Sequence, residues 1–119
     1  MKKCLIIDDV EVSRYAAALF LEDMGFSVTE AGDEAGALDL LGRETFNVIL
    51  LDWHLRKRDS LELLATIVKN YRSTPVIMIS GVEDGSKAEE ARKLGAVGFI
   101  QKPTTKDKLH TEMTKLGLA

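Results

Sequence analysis

The sequence predicts an α/β domain with a doubly wound, five-stranded parallel sheet in the order 2-1-3-4-5 and five helices on its two faces. Short apolar runs alternate with segments whose apolar residues recur at helical spacing, so each strand candidate is followed by a helix candidate. The runs at 47–52 and 75–80 are almost wholly apolar, as expected for strands covered on both faces. The run at 26–31 alternates apolar and polar residues, which is typical of an edge strand.

Local patterns define each element in turn. The strand candidates are residues 4–7, 26–31, 47–52, 75–80 and 98–101. The helix candidates are residues 12–24, 33–42, 61–71, 87–94 and 109–116. Gly25 and Gly95 end the first and fourth helices, and Asp33 is an N-cap for the second. Pro75 begins the fourth strand, a position where a missing N–H is tolerated. The segment 53–60 predicts an irregular, strongly charged loop.

Length and composition favour one domain and exclude several functions. The chain has 119 residues, of which 45% are hydrophobic; two domains would each be too small to bury a core, so we expect one domain over residues 1–119. A formal net charge of −3 gives no basic surface for direct nucleic-acid binding. The N-terminal apolar run stops at Asp8, too early for a signal peptide, and no segment is long enough for membrane insertion. The single cysteine, Cys4, lies in an apolar run and cannot form an internal disulfide. We therefore expect it to be a small buried residue, and we expect a reducing, cytoplasmic location for the protein.

Polar and charged residues follow four of the five strand candidates. They are Asp8, Asp9, Asp52, Ser80 and Lys102. In a doubly wound sheet, ligands bind at the carboxyl ends of the strands, near the point where the strand order reverses. We therefore expect these five side chains to meet at one edge of the sheet.

Three carboxylates at one edge would repel one another unless a cation lay among them. Their oxygen ligands suit a hard divalent ion such as Mg²⁺ or Mn²⁺. A carboxylate assisted by a metal and a lysine can act as the nucleophile in phosphoryl transfer, and Asp52, on the central strand, is the best candidate. Each residue also has a structural interpretation: the aspartates as caps of helices or turns, Ser80 as a turn residue and Lys102 as a solvated lysine.

The ordered motifs resemble the receiver domain of bacterial response regulators, a flavodoxin-like fold, over essentially the whole chain. The motifs are Asp8-Asp9 after the first strand, Leu51-Asp52-Trp53 at the end of the third, Ser80-Gly81 at the end of the fourth, and the run from Gly95 to Pro103. The resemblance implies a stand-alone, single-domain regulator that is not itself an enzyme. Its phosphodonor would be a histidine kinase or a histidine phosphotransfer protein, and its output a downstream protein target.

The resemblance also implies a role for each site residue. Asp52 would be phosphorylated, and Asp9, Asp52 and the backbone carbonyl of His54 would bind Mg²⁺ or Mn²⁺, with Asp8 orienting a metal-bound water. Ser80 and Lys102 would bind the phosphoryl group, and the Lys102–Pro103 peptide would be cis. Phe99, by its pattern alone a core residue, would be the aromatic switch. His54 and Val82 would line the approach of water to the phosphoaspartate and modulate its lifetime.

Two positions after Asp52 depart from the family pattern. Receivers commonly carry proline and glycine where this chain has Arg56 and Ser60. Since proline fixes φ and glycine permits angles that serine adopts only with strain, we expect a different, more mobile loop between the third strand and its helix. The basic run Arg56-Lys57-Arg58 is either solvated or, as a hypothesis, helps to recognise an acidic partner surface.

Other functions remain as alternatives. A degenerate receiver would bind partners without phosphorylation. A nucleotide-binding oxidoreductase would need a glycine-rich turn after the first strand, where this chain is acidic, and a haloacid-dehalogenase-type phosphatase would need an Asp-x-Asp-x-Thr signature, which the sequence lacks. Cys4, His54 and His110 lack the spacing of a zinc site.

Overall fold

A computed structural model describes residues 1–81 and 85–119 and contains the predicted parallel sheet. The strands are β1 (Lys3–Ile7), β2 (Ser27–Ala31), β3 (Val48–Asp52), β4 (His54–Leu55), β5 (Arg58–Asp59), β6 (Val76–Ser80) and β7 (Gly98–Gln101). The helices are α1 (Glu11–Asp23), α2 (Glu34–Arg43), α3 (Leu61–Asn70), α4 (Gly85–Lys93) and α5 (Lys106–Lys115). The main sheet runs β2-β1-β3-β6-β7 with parallel pairing throughout, which confirms the predicted order 2-1-3-4-5 for its five strands.

The two faces of the sheet bury separate apolar clusters because successive strand residues point to opposite sides. On one face, Leu5 and Ile7 pack in a cluster that includes residues of α2 and α3. On the other, Cys4 and Ile6 pack in a cluster that includes residues of α1 and α5. The central strands β1, β3 and β6 are therefore almost wholly buried, whereas β2 is largely half-buried, as predicted for an edge. Cys4 is fully buried, as expected.

The α4–β7 connection depends on Gly95, which ends the fourth helix as predicted. Its φ is +108°, and a Cβ at this residue would lie 2.7 Å from Cγ1 of Val68 in α3. Glycine satisfies both the backbone angle and the close approach. The connection therefore packs closely against α3 just before β7 begins.

The segment after β3 differs from the prediction of an irregular loop. It forms a two-stranded antiparallel hairpin, in which His54 pairs with Asp59 and Leu55 with Arg58. The two-residue turn consists of Arg56 and Lys57, with φ of 51° and 67°, as in a type I′ turn, where Asn-Gly is the common pair. The sequence lacks that turn signature, so its pattern gave no indication of a hairpin.

At Ser60, where receivers commonly carry glycine, φ is −103°, an angle that any L-residue adopts. The left-handed angles lie instead at Arg56 and Lys57. The fourth helix also begins two residues earlier than predicted, at Gly85. Among the described helices, none combines the length and apolar character needed to cross a membrane.

Candidate functional site

The predicted site residues lie where the parallel strands end. Asp52 closes β3, which lies between β1 and β6, and Asp8 follows β1 directly. Ser80 closes β6 and is fully buried. Lys102 follows β7, and its backbone N–H donates to the carbonyl of Ser80 at 2.7 Å. Parallel pairing thus brings residues from four separate segments to one sheet edge.

Three carboxylates form the centre of this site. Asp8, Asp9 and Asp52 each offer an oxygen within 4.8 Å of the others, with Asp8 and Asp52 buried and Asp9 exposed. Hard oxygen ligands at this separation, open to solvent on the Asp9 side, suit a small divalent cation. The donor set therefore fits the Mg²⁺ or Mn²⁺ that the sequence predicts.

Hydrogen bonds hold the two aspartates after β1 in place. The N–H of Val10 donates to Oδ1 of Asp8 at 2.9 Å, and the Arg14 guanidinium donates to the Asp8 carbonyl at 2.6 Å. Arg14 also pairs with Glu30 of β2 at 3.0 Å. Oδ2 of Asp9 accepts the backbone N–H of Arg56 at 3.0 Å. Sequence patterns missed Arg14, which has no motif of its own, and the Arg56 N–H, whose acceptor lies 47 residues away in the chain.

Lys102 supplies a positive charge beside the carboxylates. Its Nζ lies 2.9 Å from Oδ2 of Asp52 and 3.7 Å from Oδ2 of Asp8. Burial lowers the pKa of Lys102, but its hydrogen bond with Asp52 and the charges of Asp52 and Asp8 raise that pKa above its ordinary value. Lys102 is therefore an ammonium at neutral pH. The Lys102–Pro103 peptide is cis, as the resemblance predicts.

The Asp52 carboxyl holds its proton more tightly than a solvated aspartate. Burial is the main cause and the charge of Asp8 adds to it; Lys102 opposes both, and the pKa of Asp52 is raised to about 6. At neutral pH the carboxylate is mostly ionised, in surroundings that disfavour its charge. A cation bound beside this oxygen would relieve that electrostatic penalty.

The remaining predicted residues surround this centre. His54 is exposed, and its backbone N–H donates to Oδ1 of Asp52, with 3.4 Å between nitrogen and oxygen. Phe99 of β7 is half-buried and packs against the apolar cluster on the α2 and α3 face. Val82 lies outside the described residues. Arg56, Lys57 and Arg58 are exposed on the hairpin, and the Arg56 guanidinium lies 3.6 Å from Asp33.

Two further contacts beside the site have no signal in the sequence. The Ser60 hydroxyl, which is buried, donates to the backbone carbonyl of Asp52 at 2.6 Å. The ammonium of Lys87 in α4 lies 4.9 Å from the centre of the Trp53 ring, a cation–π contact. Trp53 directly follows Asp52, so this contact links the candidate acceptor strand to α4.

Comparisons with known proteins agree with this geometry. The family profile of the response regulator receiver domain matches residues 4–114. The nitrogen assimilation regulatory protein NtrX of Azorhizobium caulinodans is 40% identical over 107 residues, which cover 88% of this chain and 24% of that protein. The chain spans 22% to 24% of the length of the NtrX relatives it matches.

Solved structures extend the match to the whole fold. A CheY-like receiver domain from Methanospirillum hungatei superposes with a TM-score of 0.89 at 26% identity, covering 98% of this chain and 93% of that one. A response regulator from Burkholderia pseudomallei, solved with a phosphorylated aspartic acid, calcium ion and citrate, gives a TM-score of 0.86 at 29% identity, covering 98% of this chain and 71% of that one. The predicted fold class is confirmed.

Proposed function

Because this chain belongs to the response regulator receiver domain family of two-component signalling, we propose that Asp52 accepts a phosphoryl group from a histidine kinase or a histidine phosphotransfer protein. The observation that carries the proposal is the Lys102 ammonium, which lies between the Asp52 and Asp8 carboxylates in a cluster suited to a divalent cation. A carboxylate flanked by a lysine and by ligands for a metal is the arrangement that phosphoryl transfer to aspartate requires.

In the proposed reaction, an ionised Asp52 oxygen attacks the phosphorus of a phosphohistidine. The new P–O bond forms as the P–N bond breaks, and the leaving imidazole takes a proton from water. A pKa of about 6 leaves Asp52 ionised at neutral pH. Lys102 then neutralises an oxygen of the bound phosphoryl group, and the Ser80 hydroxyl donates a hydrogen bond to another.

The divalent cation would be held by Asp9, Asp52 and the backbone carbonyl of His54, with Asp8 directed to a water on it. When bound, it supplies positive charge for the oxygens of the transferring group. His54, which is exposed, and Val82 would flank the approach of water to the acyl phosphate, and so set how long the phosphorylated state lasts. The domain contributes to the transfer through these groups but turns over no substrate.

An exposed apolar stripe on α1 supports a helical phosphodonor as the partner. Val12, Tyr15 and Leu19 are 79%, 59% and 48% exposed and lie on one face of the helix. The helix begins two residues after Asp9, so the stripe starts beside the carboxylates. A helix of the phosphodonor packed on this stripe would bring its phosphohistidine to Asp52.

We propose that output follows from a shift of α4 and Phe99. The only buried residue of α4 is Ala91 among those described, so few apolar contacts hold the helix. When Ser80 moves toward a phosphoryl group, Phe99 can turn inward and change the surface formed by α4, β7 and α5. The target would be a protein in the cytoplasm, engaged without direct nucleic-acid contact or membrane insertion.

Incubation with acetyl phosphate and Mg²⁺, followed by intact-mass measurement, tests the proposed function. We expect one phosphoryl adduct on the wild-type chain and none on Asp52→Asn. Asp39→Asn is the matched control, since Asp39 is an exposed aspartate of α2 that pairs with Arg43, and it should retain the adduct. Absence of an adduct on the wild-type chain, with Mg²⁺ or Mn²⁺, would favour a degenerate receiver that acts as a phosphorylation-independent interaction module.

A further inference from the structure

We propose that the β4–β5 hairpin is a positioning element for the cation site, in which the backbone N–H of Arg56 orients the Asp9 carboxylate. This inference rests on the proposed function, because it concerns the cation that assists phosphorylation of Asp52. It assigns a role to a segment that the sequence predicts to be irregular. Arg56 is a positioning residue here, since its N–H contacts a proposed ligand rather than the reacting atoms.

The tip of the hairpin contacts Asp9 directly. The N–H of Arg56 donates to Oδ2 of Asp9 at 3.0 Å, which leaves Oδ1 for a cation. Asp9 is the exposed member of the three carboxylates. A solvated aspartate samples several rotamers, whereas a hydrogen bond from a fixed backbone donor holds the carboxylate in one orientation. The hairpin therefore reduces the entropy that Asp9 loses when a cation binds.

The base of the hairpin is tied to the acceptor strand. The Ser60 N–H donates to the Trp53 carbonyl at 2.7 Å, and its hydroxyl donates to the Asp52 carbonyl at 2.6 Å. Ser60 is buried, so water does not compete with these bonds. One short segment thus connects the backbone of Asp52 to the carboxylate of Asp9 and fixes their relative position.

The conformation of the turn directs the N–H of Arg56 toward the Asp9 carboxylate. Both Arg56 and Lys57 adopt left-handed angles, which are unfavourable for residues with a Cβ. Buried Leu55 and the Arg56–Asp33 ion pair help to hold the turn in this conformation. A proline at residue 56 would lack the N–H and could not adopt a positive φ. The departure from the family pattern at this position therefore adds a hydrogen bond to a proposed cation ligand.

The charges around the hairpin favour this role over recognition of an acidic partner. The cavity under the hairpin is lined by Arg56 and Arg58 together with four acidic residues, Asp33, Glu34, Asp59 and Glu62. The basic run is therefore locally neutralised and forms no extended positive surface with these neighbours. The backbone donor, in contrast, has a defined acceptor in the site.

Calorimetric titration with Mg²⁺ alone tests the role of the N–H. Arg56→Pro removes the donor, and we expect its dissociation constant for Mg²⁺ to rise roughly fivefold or more, the effect of losing one hydrogen bond to a charged group. Arg56→Ala keeps the N–H but loses the Asp33 pair, so its constant should stay within about twofold of wild type. Arg56→Asn combined with Lys57→Gly keeps the N–H in a favoured turn pair and should bind at least as tightly as wild type.

Unfolding by urea in EDTA separates positioning from folding. The inference predicts that the affinity of Arg56→Pro for Mg²⁺ falls while its domain remains folded at the titration temperature. If Arg56→Pro does not fold, Ser60→Gly, which loses the tie to Asp52 but keeps a permissive backbone, should show weakened Mg²⁺ binding instead. Wild-type affinity in the variant that folds would overturn the inference, as would equal loss of affinity in Arg56→Ala and Arg56→Pro.

Acetyl phosphate labelling of the same proteins distinguishes the two proposals. Suppose that the wild-type chain forms a phosphoryl adduct and that every hairpin variant binds Mg²⁺ with wild-type affinity. This result would contradict the role of the hairpin and leave the proposed function intact. No adduct and no Mg²⁺ binding by the wild-type chain would contradict the proposed function. The expected result is an adduct on the wild-type chain and a lower affinity for Mg²⁺ in Arg56→Pro, which lacks the N–H of residue 56, than in Arg56→Ala, which keeps it.

Discussion

The Lys102 ammonium lies 2.9 Å from the Asp52 carboxylate, and this ion pair joins the ends of two strands separated in the sheet by β6. Asp52 comes from the end of β3 and Lys102 from the residue after β7. The pair is 50 residues apart in the chain, so only the parallel sheet brings the two charges together. Its electrostatics lead to the first two predictions.

The contribution of Asp52 to the stability of the protein in EDTA should fall as pH rises from about 4 to about 6. The pKa of Asp52 is about 6 in the folded protein, against an ordinary 3.8. Between these values the folded state binds more protons than the unfolded state, so raising the pH removes stability. The effect should be roughly 1 to 3 kcal/mol, since a tenfold difference in proton affinity between the two states corresponds to about 1.4 kcal/mol.

Urea unfolding of wild-type protein and Asp52→Asn across this pH range measures the contribution of Asp52. Other acids titrate there too, so the prediction concerns the difference between the two proteins. The stability of Asp52→Asn relative to wild type should increase from pH 4 to pH 7. A difference that is independent of pH would show that Asp52 titrates normally.

Replacing Lys102 with Met should destabilise the domain at pH 7 by about 1 to 3 kcal/mol, because Asp52 and Asp8 would then face each other without a cation. Addition of Mg²⁺, or a change to pH 5, should restore much of this loss. Lys93→Met is the matched control, since Lys93 is exposed and pairs with Glu89 one turn away on the same helix; it should change stability by less than about 0.5 kcal/mol. Equal effects of the two substitutions would contradict the account of the ion pair.

Gly95→Ala should destabilise the domain by at least about 1 to 3 kcal/mol. Alanine would adopt φ of +108° with its Cβ 2.7 Å from Val68, which combines backbone strain with overpacking. Gly42→Ala in α2 is the control, because no atom lies within 4 Å of the added Cβ there; it should be neutral or stabilising by about 0.5 to 1 kcal/mol. Thermal or urea unfolding gives both values, and equal stability of the two variants would contradict the steric argument.

Substitutions on the α1 stripe should slow transfer from a protein donor but not from acetyl phosphate. Tyr15→Glu places a charge on the proposed docking face without touching the carboxylates, and we expect at least about a tenfold lower rate from a phosphorylated histidine phosphotransfer protein that labels the wild-type chain. Val97→Glu is the control, because Val97 is also an exposed apolar residue, 51% accessible, but lies between α4 and β7. Equal slowing with acetyl phosphate would show that Tyr15 acts on the chemistry instead of docking.

Hydrophobic patterning predicted the sheet order and its polar edge because the buried strands carry their own signal. Apolar residues on both faces of β3 and β6 require central positions, and a parallel sheet then gathers the residues at their carboxyl ends. Strand order and strand ends alone therefore sufficed to place Asp8, Asp9, Asp52, Ser80 and Lys102 at one sheet edge. The roles of these residues stay predictions until they are measured.

Patterning failed at residues 53–60 because the hairpin depends on tertiary contacts. Arg56 and Lys57 have neither the Asn-Gly preference nor the glycine that marks a type I′ turn. The turn forms with buried Leu55 beneath it, the Arg56 N–H bonded to Asp9 and the Ser60 hydroxyl bonded to Asp52. Partners this far away along the chain leave no periodic signal in the sequence.

Borohydride trapping tests, at the level of the residue, whether Asp52 is the phosphoryl acceptor. Reduction of an aspartyl phosphate converts that aspartate to homoserine, which peptide mass spectrometry can locate. After treatment with acetyl phosphate and Mg²⁺, we expect homoserine at position 52 and no conversion of Asp8 or Asp9. Homoserine at either of those positions, or unmodified Asp52 in protein that carries a phosphoryl adduct, would contradict this expectation.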